Sequence, residues 1–358
     1  MIRIPPEGLS DENIECYVEI PSAAQLREEI PLHDGENVWR SRNAVKDILT
    51  GKSEQRLVIA GPCSIHDIGE ARHILDEMKS IADEVADVFF VLTRMCYEKP
   101  RTGPSWPGYV WDPDMNGTGG LEKGLRDTRQ LLVYAAQHDI GVSAEFVDTD
   151  VIPHYTSDTL SHAWIGARTS ESQGHHQHAS RSSVPIGIKN GLSGNLDYTI
   201  SAIQKARSPA VSAGRTRDDC VAEIRSRGNP YAHLILRGTD SGPNYNKESV
   251  AAATRLLKIK SLPAVMLIDC SHGNSRKDDA QQPAVFYNVV EQMRDNPAIR
   301  GAKLEVYIKR GSQAKNIPED RAGFDRRTLS PGISATDSCM GIAEFRDLIK
   351  SAAYELRK

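Results

Sequence analysis

The sequence predicts an α/β fold, a closed (β/α)8 (TIM) barrel, and three observations support this prediction. Eight short apolar runs rich in β-branched residues recur along the chain, and each ends in polar or charged residues. Segments with helical periodicity separate several of these runs, a pattern typical of a parallel sheet covered by helices. The sequence G-x-G-x-x-G does not open the first helix, which disfavours an open dinucleotide-binding sheet. Eight such units therefore indicate a closed barrel.

The chain divides into an amino-terminal part and one catalytic domain. Residues 1–50 are predicted to form an arm and a helix: the stretch 1–35 is polar and interrupted by prolines, and a helix is expected at 37–50. Residues 51–358 are predicted to form the barrel. The segment 208–232, between the fifth and sixth strands, does not fit the repeating pattern, and we expect an inserted hairpin there.

The strands and helices of the barrel are predicted from their apolar patterns. Asp67 is placed to cap a helix over 68–86, and a last amphipathic helix covers 341–356. The predicted strands are 57–64, 88–95, 141–146, 164–168, 185–191, 233–238, 264–272 and 302–308.

Composition and charge exclude several classes of protein. The 358 residues are 39% hydrophobic and 26% charged with a net charge of −4, which predicts neither a nucleic-acid nor a membrane partner. No apolar run approaches the roughly 18 residues that a membrane span requires. The six cysteines are scattered without a C-x-x-C pair, which is typical of reduced thiols. We therefore expect a cytoplasmic protein.

Basic and metal-binding side chains follow the predicted strands, where barrel enzymes carry their active sites. A single arginine or lysine at such a position is ordinarily a solvated charge. Five together would repel one another unless a multiply anionic ligand balanced them. Phosphate and carboxylate groups are the natural ligands of guanidinium groups. The strand-end residues are Cys63, Arg94, Lys99, Glu145, Arg168, Lys189, Arg237, His272 and Glu305.

Four of the candidate residues suggest a metal site. Cys63, His272 and Glu305 follow strands one, seven and eight, which become neighbours when the barrel closes. Asp337, in the loop after the eighth strand, is placed to be a fourth ligand. A mixed set of sulfur, nitrogen and oxygen ligands favours a divalent transition ion over magnesium or calcium.

A second group of histidines, His175, His176 and His178, is a weaker candidate for a metal site. On a helix only His175 and His178 share a face. The favoured interpretation is a solvated helix start.

These motifs resemble the 3-deoxy-D-arabino-heptulosonate-7-phosphate (DAHP) synthase family, of the bacterial and fungal class I type that aromatic amino acids regulate. The resemblance extends from about residue 57 to residue 341 in the family's order. It implies condensation of phosphoenolpyruvate with D-erythrose 4-phosphate and water to give DAHP and phosphate, the first step of the shikimate pathway. The matching stretches include GPCSIHD (61–67), EKPRT (98–102), IGARTSESQ (165–173), PIGIKNG (185–191), HLILRG (233–238), PNY (243–245), IDCSHGNS (268–275) and ISATDSCMG (333–341).

The resemblance also implies roles for the site residues. Cys63, His272, Glu305 and Asp337 would bind one divalent ion, with Mn²⁺ as the first expectation and Fe²⁺, Co²⁺ or Zn²⁺ as alternatives. Arg168, Lys189 and Arg237, with the backbone of Ala167, would hold the phosphate of phosphoenolpyruvate, while Arg94 and Lys99 face its carboxylate and the aldehyde. Arg101 and Thr102 would hold the phosphate of erythrose 4-phosphate, Glu145 would orient a water, and Lys99 would protonate or stabilise the aldehyde oxygen. The resemblance further implies a homodimer or homotetramer.

The sequence departs from the family at three places. Glu305 is followed by Val306 and Tyr307 where relatives carry small or polar residues, and residues 174–183 are unusually polar. The predicted hairpin lacks Phe, Tyr and Trp over 210–227, although a pocket for an aromatic effector requires apolar walls. We therefore expect feedback by aromatic amino acids to be weakened, lost or directed to another effector.

Two other functions fit the same residues less well. A 3-deoxy-octulosonate-8-phosphate synthase uses the same barrel with a five-carbon aldose, but carries an asparagine-containing loop where this chain has residues 99–102. A catalytically silent barrel that binds a phosphorylated metabolite is the other alternative, and retention of every candidate ligand and basic residue disfavours it.

Overall fold

The computed structural model describes residues 13–358, which form a closed barrel of eight parallel strands. In chain order the strands are β1 (Arg56–Gly61), β2 (Phe89–Arg94), β3 (Val142–Glu145), β4 (His162–Ile165), β5 (Ile186–Lys189), β6 (Ala210–Arg215), β7 (Val221–Ser226), β8 (His233–Leu236), β9 (Met266–Asp269), β10 (Ile299–Tyr307) and β11 (Met340–Gly341). The barrel consists of β1 to β5 and β8 to β10, and it closes because β1 pairs with β10 as well as with β2. The predicted fold class is confirmed.

Helices cover the outside of the barrel between successive strands. They are α1 (Ala23–Glu29), α2 (Glu36–Thr50), α3 (Ile68–Glu84), α4 (Leu121–Gln137), α5 (Ile152–Thr156), α6 (Gln173–Arg181), α7 (Leu196–Arg207), α8 (Lys247–Ile259), α9 (Gln282–Asp295) and α10 (Ile342–Arg357). The Asp67 side chain accepts a hydrogen bond from the Glu70 amide and caps α3, as the sequence predicts.

The amino-terminal segment differs from the prediction of an arm outside the main fold. Its residues 1–12 lie outside the described residues. The described remainder contains α1, which begins with a capping box at Ser22 and buries Ala23 and Leu26 in the main apolar core. The Tyr155 hydroxyl donates to the Pro21 carbonyl at 2.7 Å, which fixes the segment against α5. The polar composition of this segment therefore did not predict the short packed helix α1. The domain boundary at residue 50 stays a prediction.

The predicted insertion is an antiparallel hairpin between β5 and β8. Strands β6 and β7 pair from Ala210 with Ser226 to Arg215 with Val221. The hairpin lies beside α6, because the Ser180 hydroxyl lies 2.6 Å from the Ser226 hydroxyl and donates to the Ser208 carbonyl at 2.9 Å. Hairpin and α6 therefore form one region beside the barrel.

The inside of the barrel contains a small apolar core of its own. Three residues of α2 pack in one buried cluster with inner residues of several barrel strands, so α2 packs against the barrel interior. The cluster comprises Val45, Ile48, Leu49, Leu57, Ile59, Leu92, Cys96, Trp164, Ile235 and Leu267. Within residues 13–358, every helix is too short or too polar to cross a lipid bilayer.

Candidate active site

A polar cleft of about 870 Å³ opens at the carboxyl ends of the barrel strands. Ten of the residues predicted for the site line it, and Cys63, Thr102 and Glu305 are absent from its lining. The lining also includes residues without a predicted role, among them Asp240, Lys277 and Thr336. The predicted residues in its lining are Arg94, Lys99, Arg101, Glu145, Ala167, Arg168, Lys189, Arg237, His272 and Asp337, counting the Ala167 backbone as the tenth.

Three of the four predicted metal ligands form a compact group. One ligand atom each from Cys63, Glu305 and Asp337 lies within 4.8 Å of the other two. Cys63 and Glu305 come together because Gly61 of β1 pairs in register with Glu305 of β10. His272 lies just outside this group, with its Nε2 atom 3.6 Å from Glu305 Oε1. The barrel therefore brings together all four side chains, although they are 274 positions apart from Cys63 to Asp337 (337 − 63).

Burial and neighbouring charges shift the pKa values of two of these side chains in opposite directions. Burial raises the pKa of the Cys63 thiol to about 12, with the nearby Glu305 carboxylate as the next cause. Burial also acts to raise the pKa of Glu305, but the charges of His272, Arg94 and Lys99 outweigh it and lower that pKa to about 2. A bound cation would favour the thiolate directly. Lys99 Nζ already donates to Cys63 Sγ at 3.2 Å.

Asp269 was not identified from the sequence, yet it connects the metal side of the cleft to the anion side. Its carboxylate lies 2.7 Å from Lys189 Nζ and 3.2 Å from His272 Nδ1. It also accepts from the Ser271 hydroxyl at 2.6 Å. A carboxylate on Nδ1 leaves Nε2 of His272 as the atom available for a metal. His272 has a backbone φ of 57°, which is unusual for a residue with a side chain and common at functional sites.

Three asparagines join the loops that carry the anion-binding side chains. Asn190 Oδ1 accepts from the Arg237 amide at 2.9 Å and from the Asn244 side chain at 3.2 Å. Asn274 Oδ1 accepts from the Asn244 amide at 2.8 Å, and its Nδ2 atom donates to the Asp269 carbonyl at 2.8 Å. These residues occur in the KNG, PNY and GNS motifs. The structure shows that they hold the loops after β5, β8 and β9 together.

The anion side of the cleft contains basic side chains without acidic partners. Within residues 13–358, no carboxylate lies within 4.0 Å of the side-chain nitrogens of Arg168, Arg237 or Lys277. Arg168 Nε donates to Thr102 Oγ1 at 3.1 Å, which brings together two residues predicted to hold different substrates. Arg101 is fixed through its Nε atom, which donates to the Trp106 carbonyl at 2.8 Å. The cleft therefore has spare capacity for anions.

Glu145 is buried at the end of β3, beside the basic side chains. Its carboxylate occupies the space next to Gly166, where a Cβ atom would overlap Oε1. Only glycine at this position leaves room for the Glu145 side chain in the cleft.

The three histidines of α6 do not form a solvated helix start, and that prediction is wrong. His175, His176 and His178 are all buried, with 9%, 6% and 8% of their surfaces exposed. His175 Nε2 lies 3.0 Å from the Val147 carbonyl, and His176 Nε2 lies 2.7 Å from the Ser170 carbonyl. Burial lowers the pKa of His178 to about 3. The adjacent hairpin and the β3 loop cover a helix whose composition suggested exposure.

Tyr307, one of the departures after Glu305, has a structural contact instead of a place in the cleft. Its hydroxyl donates to Glu70 Oε2 at 2.5 Å, and its ring stacks on His66 with centroids 5.5 Å apart. Glu70 also accepts from the Gly332 amide at 2.6 Å. Tyr307 therefore helps to connect α3 to the segment that leads to Asp337.

These features define a (β/α)8-barrel protein with a cation-lined cleft and an adjoining cluster of potential metal ligands. Residues 29–350 match the DAHP synthetase I family. The Tyr-sensitive phospho-2-dehydro-3-deoxyheptonate aldolase of Salmonella typhimurium is 38% identical over 93% of this chain and 92% of its own length. The tyrosine-inhibited enzyme of Schizosaccharomyces pombe is 36% identical over 98% of this chain and 94% of its own.

A solved structure agrees with these sequence relatives. The phospho-2-dehydro-3-deoxyheptonate aldolase of Francisella tularensis superposes with a TM-score of 0.90 and 32% identity, covering 96% of this chain and 99% of that one. The chain therefore belongs to the DAHP synthetase I family.

Proposed function

We propose that this protein is a metal-dependent DAHP synthase, which condenses phosphoenolpyruvate with D-erythrose 4-phosphate and water to give DAHP and phosphate. The observation that carries this proposal is the proximity of two features at the carboxyl end of the barrel. Basic side chains without acidic partners lie beside a compact group of thiol and carboxylate ligands. Family membership supports the same reaction.

The proposed metal ligands are Cys63, His272, Glu305 and Asp337. The fit rests on the donor chemistry: a thiol, an imidazole and two carboxylates, three of them within 4.8 Å of one another. Such a mixed set suits a divalent transition ion, with Mn²⁺ as the first candidate. A bound ion would supply Lewis-acid polarisation of the aldehyde oxygen, a contribution of about several kcal/mol.

The basic side chains of the cleft would bind the two substrates next to each other. Arg168, Lys189 and Arg237, with the Ala167 backbone, would hold the phosphate of phosphoenolpyruvate. Arg101 and Thr102 would hold the phosphate of erythrose 4-phosphate. The 3.1 Å contact between Arg168 and Thr102 supports adjacent binding of the two substrates. Fixing two anions side by side removes much of the entropic barrier to a bimolecular step.

The reacting atoms would lie between Arg94, Lys99 and Glu145. Arg94 would face the carboxylate of phosphoenolpyruvate, and its 2.8 Å contact with Glu305 fixes its position. C3 of phosphoenolpyruvate would bond to the aldehyde carbon while Lys99 gives a proton to the aldehyde oxygen. A water oriented by Glu145 would bond to C2 and give up one proton, which restores the proton that Lys99 donated, so that a hemiketal phosphate forms. The bond between C2 and the bridging oxygen would then break, the phosphate would leave with that oxygen, and the C2 hydroxyl would pass its proton to the phosphate and become the ketone.

The test is turnover of phosphoenolpyruvate with two aldoses. We expect phosphate release with erythrose 4-phosphate to exceed that with arabinose 5-phosphate by about 100-fold, because differently sized substrates place the aldehyde differently. Preference for arabinose 5-phosphate would favour the octulosonate-type reaction. Binding of phosphoenolpyruvate without turnover of either aldose would favour the silent barrel.

We also propose that the protein is a homodimer or homotetramer, as the resemblance implies. Light scattering at micromolar concentration tests this, and a monomer under these conditions would contradict it.

A further inference from the structure

Beneath the floor of the cleft, three basic side chains surround a single buried tryptophan. The centroid of the Trp164 ring lies 5.2 Å from Arg94 Cζ and 5.9 Å from Lys189 Nζ. Lys303 Nζ lies closer still, 3.1 Å from the same centroid. All three distances fall within the range in which an aromatic face attracts a cation. None of the four residues belongs to the same strand as another.

The burial of these groups makes the arrangement unusual. Trp164 and Lys303 are both fully buried. Within the described residues, neither the indole Nε1 atom nor Lys303 Nζ has a hydrogen-bond partner. Unpaired polar groups in a protein interior are costly, so they are rare unless they serve a function. The Trp164 ring lies against the Lys303 amine, and burial holds the pKa of this amine well below its usual range, with the charges of Lys189 and Arg94 as the next causes.

The surroundings of the ring connect it to the cleft. Trp164 is paired in register with Glu145 of β3, and Lys303 is paired with Asp269 of β9. Arg94 and Lys189 extend from the same interior into the lining of the cleft. From above, Arg94 is held by Glu305 and Lys189 by Asp269. Both basic groups also lie over the face of the buried Trp164 ring.

We propose that Trp164 is a positioning residue of the cleft, whose ring face holds Arg94 and Lys189 from below while Lys303 packs against the same ring. The proposal rests on the proposed function only for the identity of the anion that Arg94 and Lys189 bind. Trp164 is absent from the lining of the cleft, so we expect it to act on the substrate only through Arg94 and Lys189. Its effect is expected on the binding of phosphoenolpyruvate instead of on the chemical step.

The test compares Trp164→Phe with Trp164→Leu in the full-length, metal-loaded enzyme. Phe keeps an aromatic face, whereas Leu fills the barrel without one. We expect Trp164→Leu to raise the KM for phosphoenolpyruvate by about 3- to 10-fold and to leave kcat within about twofold. Trp164→Phe should recover most of the wild-type KM. Trp39→Leu, which changes an exposed tryptophan on α2, is the matched control and should leave KM unchanged.

A second experiment keeps the size of the ring nearly constant. Tryptophan with increasing numbers of fluorine atoms weakens the attraction of the ring face for cations without removing it. The KM for phosphoenolpyruvate should rise stepwise with fluorination in the wild-type sequence and stay constant in the Trp164→Phe enzyme labelled in the same way. This series applies even if Trp164→Leu does not fold.

Several results would overturn the proposal. Equal rises in KM for the Phe and Leu variants would indicate packing alone, as would a fall in kcat with an unchanged KM. A fluorination effect that persists in Trp164→Phe would assign it to another tryptophan. Absence of turnover in the wild type would contradict the proposed function instead, and calorimetric binding of phosphoenolpyruvate would then test Trp164 separately.

Discussion

The cleft and the region formed by α6 and the hairpin are both rich in basic side chains, but they use them differently. In the cleft, Arg168 and Arg237 have no carboxylate within 4.0 Å in the described part of the chain. Beside the hairpin, Arg181 donates to the Ala213 carbonyl at 2.6 Å and to the Thr149 carbonyl at 3.0 Å. Arg215 pairs with Asp150 at 3.4 Å.

This difference separates binding from stability. Donors that the fold has already satisfied cannot bind a ligand without losing an existing partner, whereas unpaired donors can. Changes in the cleft should therefore affect activity more than stability. Changes beside the hairpin should affect stability more than activity.

Removal of the metal should have the largest effect and should act on the cleft alone. Treatment with EDTA is expected to lower phosphate release on the order of 1000-fold, because Lewis-acid stabilisation of several kcal/mol is lost. Addition of Mn²⁺ should restore activity. Full activity in a protein shown by elemental analysis to contain no metal would contradict the proposed ligand set.

Removal of an unpaired cleft cation should weaken substrate binding. Arg237→Met is expected to raise the KM for phosphoenolpyruvate by roughly 10- to 100-fold, since a hydrogen bond to a charged group contributes about 1.5–3 kcal/mol. The melting temperature should change by less than about 2 °C. Arg225→Met, on an exposed face of the hairpin, is the matched control. An unchanged KM in Arg237→Met would remove the distinction between the two regions.

Removal of Arg181, whose guanidinium already donates to two backbone carbonyls, should lower stability without weakening substrate binding. Arg181→Met leaves two backbone carbonyls without their donor, which should lower the free energy of unfolding by about 2 kcal/mol in urea titrations. The KM for phosphoenolpyruvate should remain unchanged. A rise in KM at wild-type stability would show that Arg181 contributes to the cleft.

The buried histidine of α6 should make stability depend on pH. Burial lowers the pKa of His178 from 6.5 to about 3, so the folded protein binds a proton less readily than the unfolded chain. This contribution to stability is complete above pH 6.5 and decreases as the pH falls toward the folded pKa. At pH 5.5 the loss from His178 is on the order of 1 kcal/mol. Urea titrations at pH 7.5 and 5.5 measure the fall in the free energy of unfolding between these pH values. This fall should be smaller in His178→Leu than in the wild type, and an equal fall in both proteins would contradict the role of His178 in the pH dependence.

Aromatic amino acids should have the smallest effect. The hairpin offers no aromatic side chain, and Arg181 occupies the space between it and α6. We expect phenylalanine, tyrosine or tryptophan at about 1 mM to change the rate by less than twofold, because the region lacks apolar walls for a ring. The relatives named Tyr-sensitive and tyrosine-inhibited make this a sharp contrast. Strong inhibition below millimolar concentration would defeat this expectation.

The sequence predicted the barrel because parallel strands produce continuous apolar runs. It predicted the strand-end residues because those runs stop where the cleft begins. Asp269 was not predicted as a site residue, because the predicted strand continues to His272, whereas β9 ends at Asp269. Nothing in an apolar run shows where strand pairing ends.

Other features depend on contacts between distant parts of the chain. The burial of His178 arises from the packing of α6 beside the hairpin and the β3 loop. Trp164 and Lys303 meet inside the barrel across 139 positions (303 − 164) of sequence. Periodicity identifies which residues face inward, but not which of them touch.

The central claim is that Cys63, His272, Glu305 and Asp337 bind one ion beside the basic side chains of the cleft. Anomalous diffraction from crystals soaked with Mn²⁺ and phosphoenolpyruvate tests it most directly. We predict one manganese peak bounded by these four side chains, with the phosphate of phosphoenolpyruvate against Arg168 and Arg237. A manganese peak elsewhere, with Cys63 and His272 remote from it, would contradict the account.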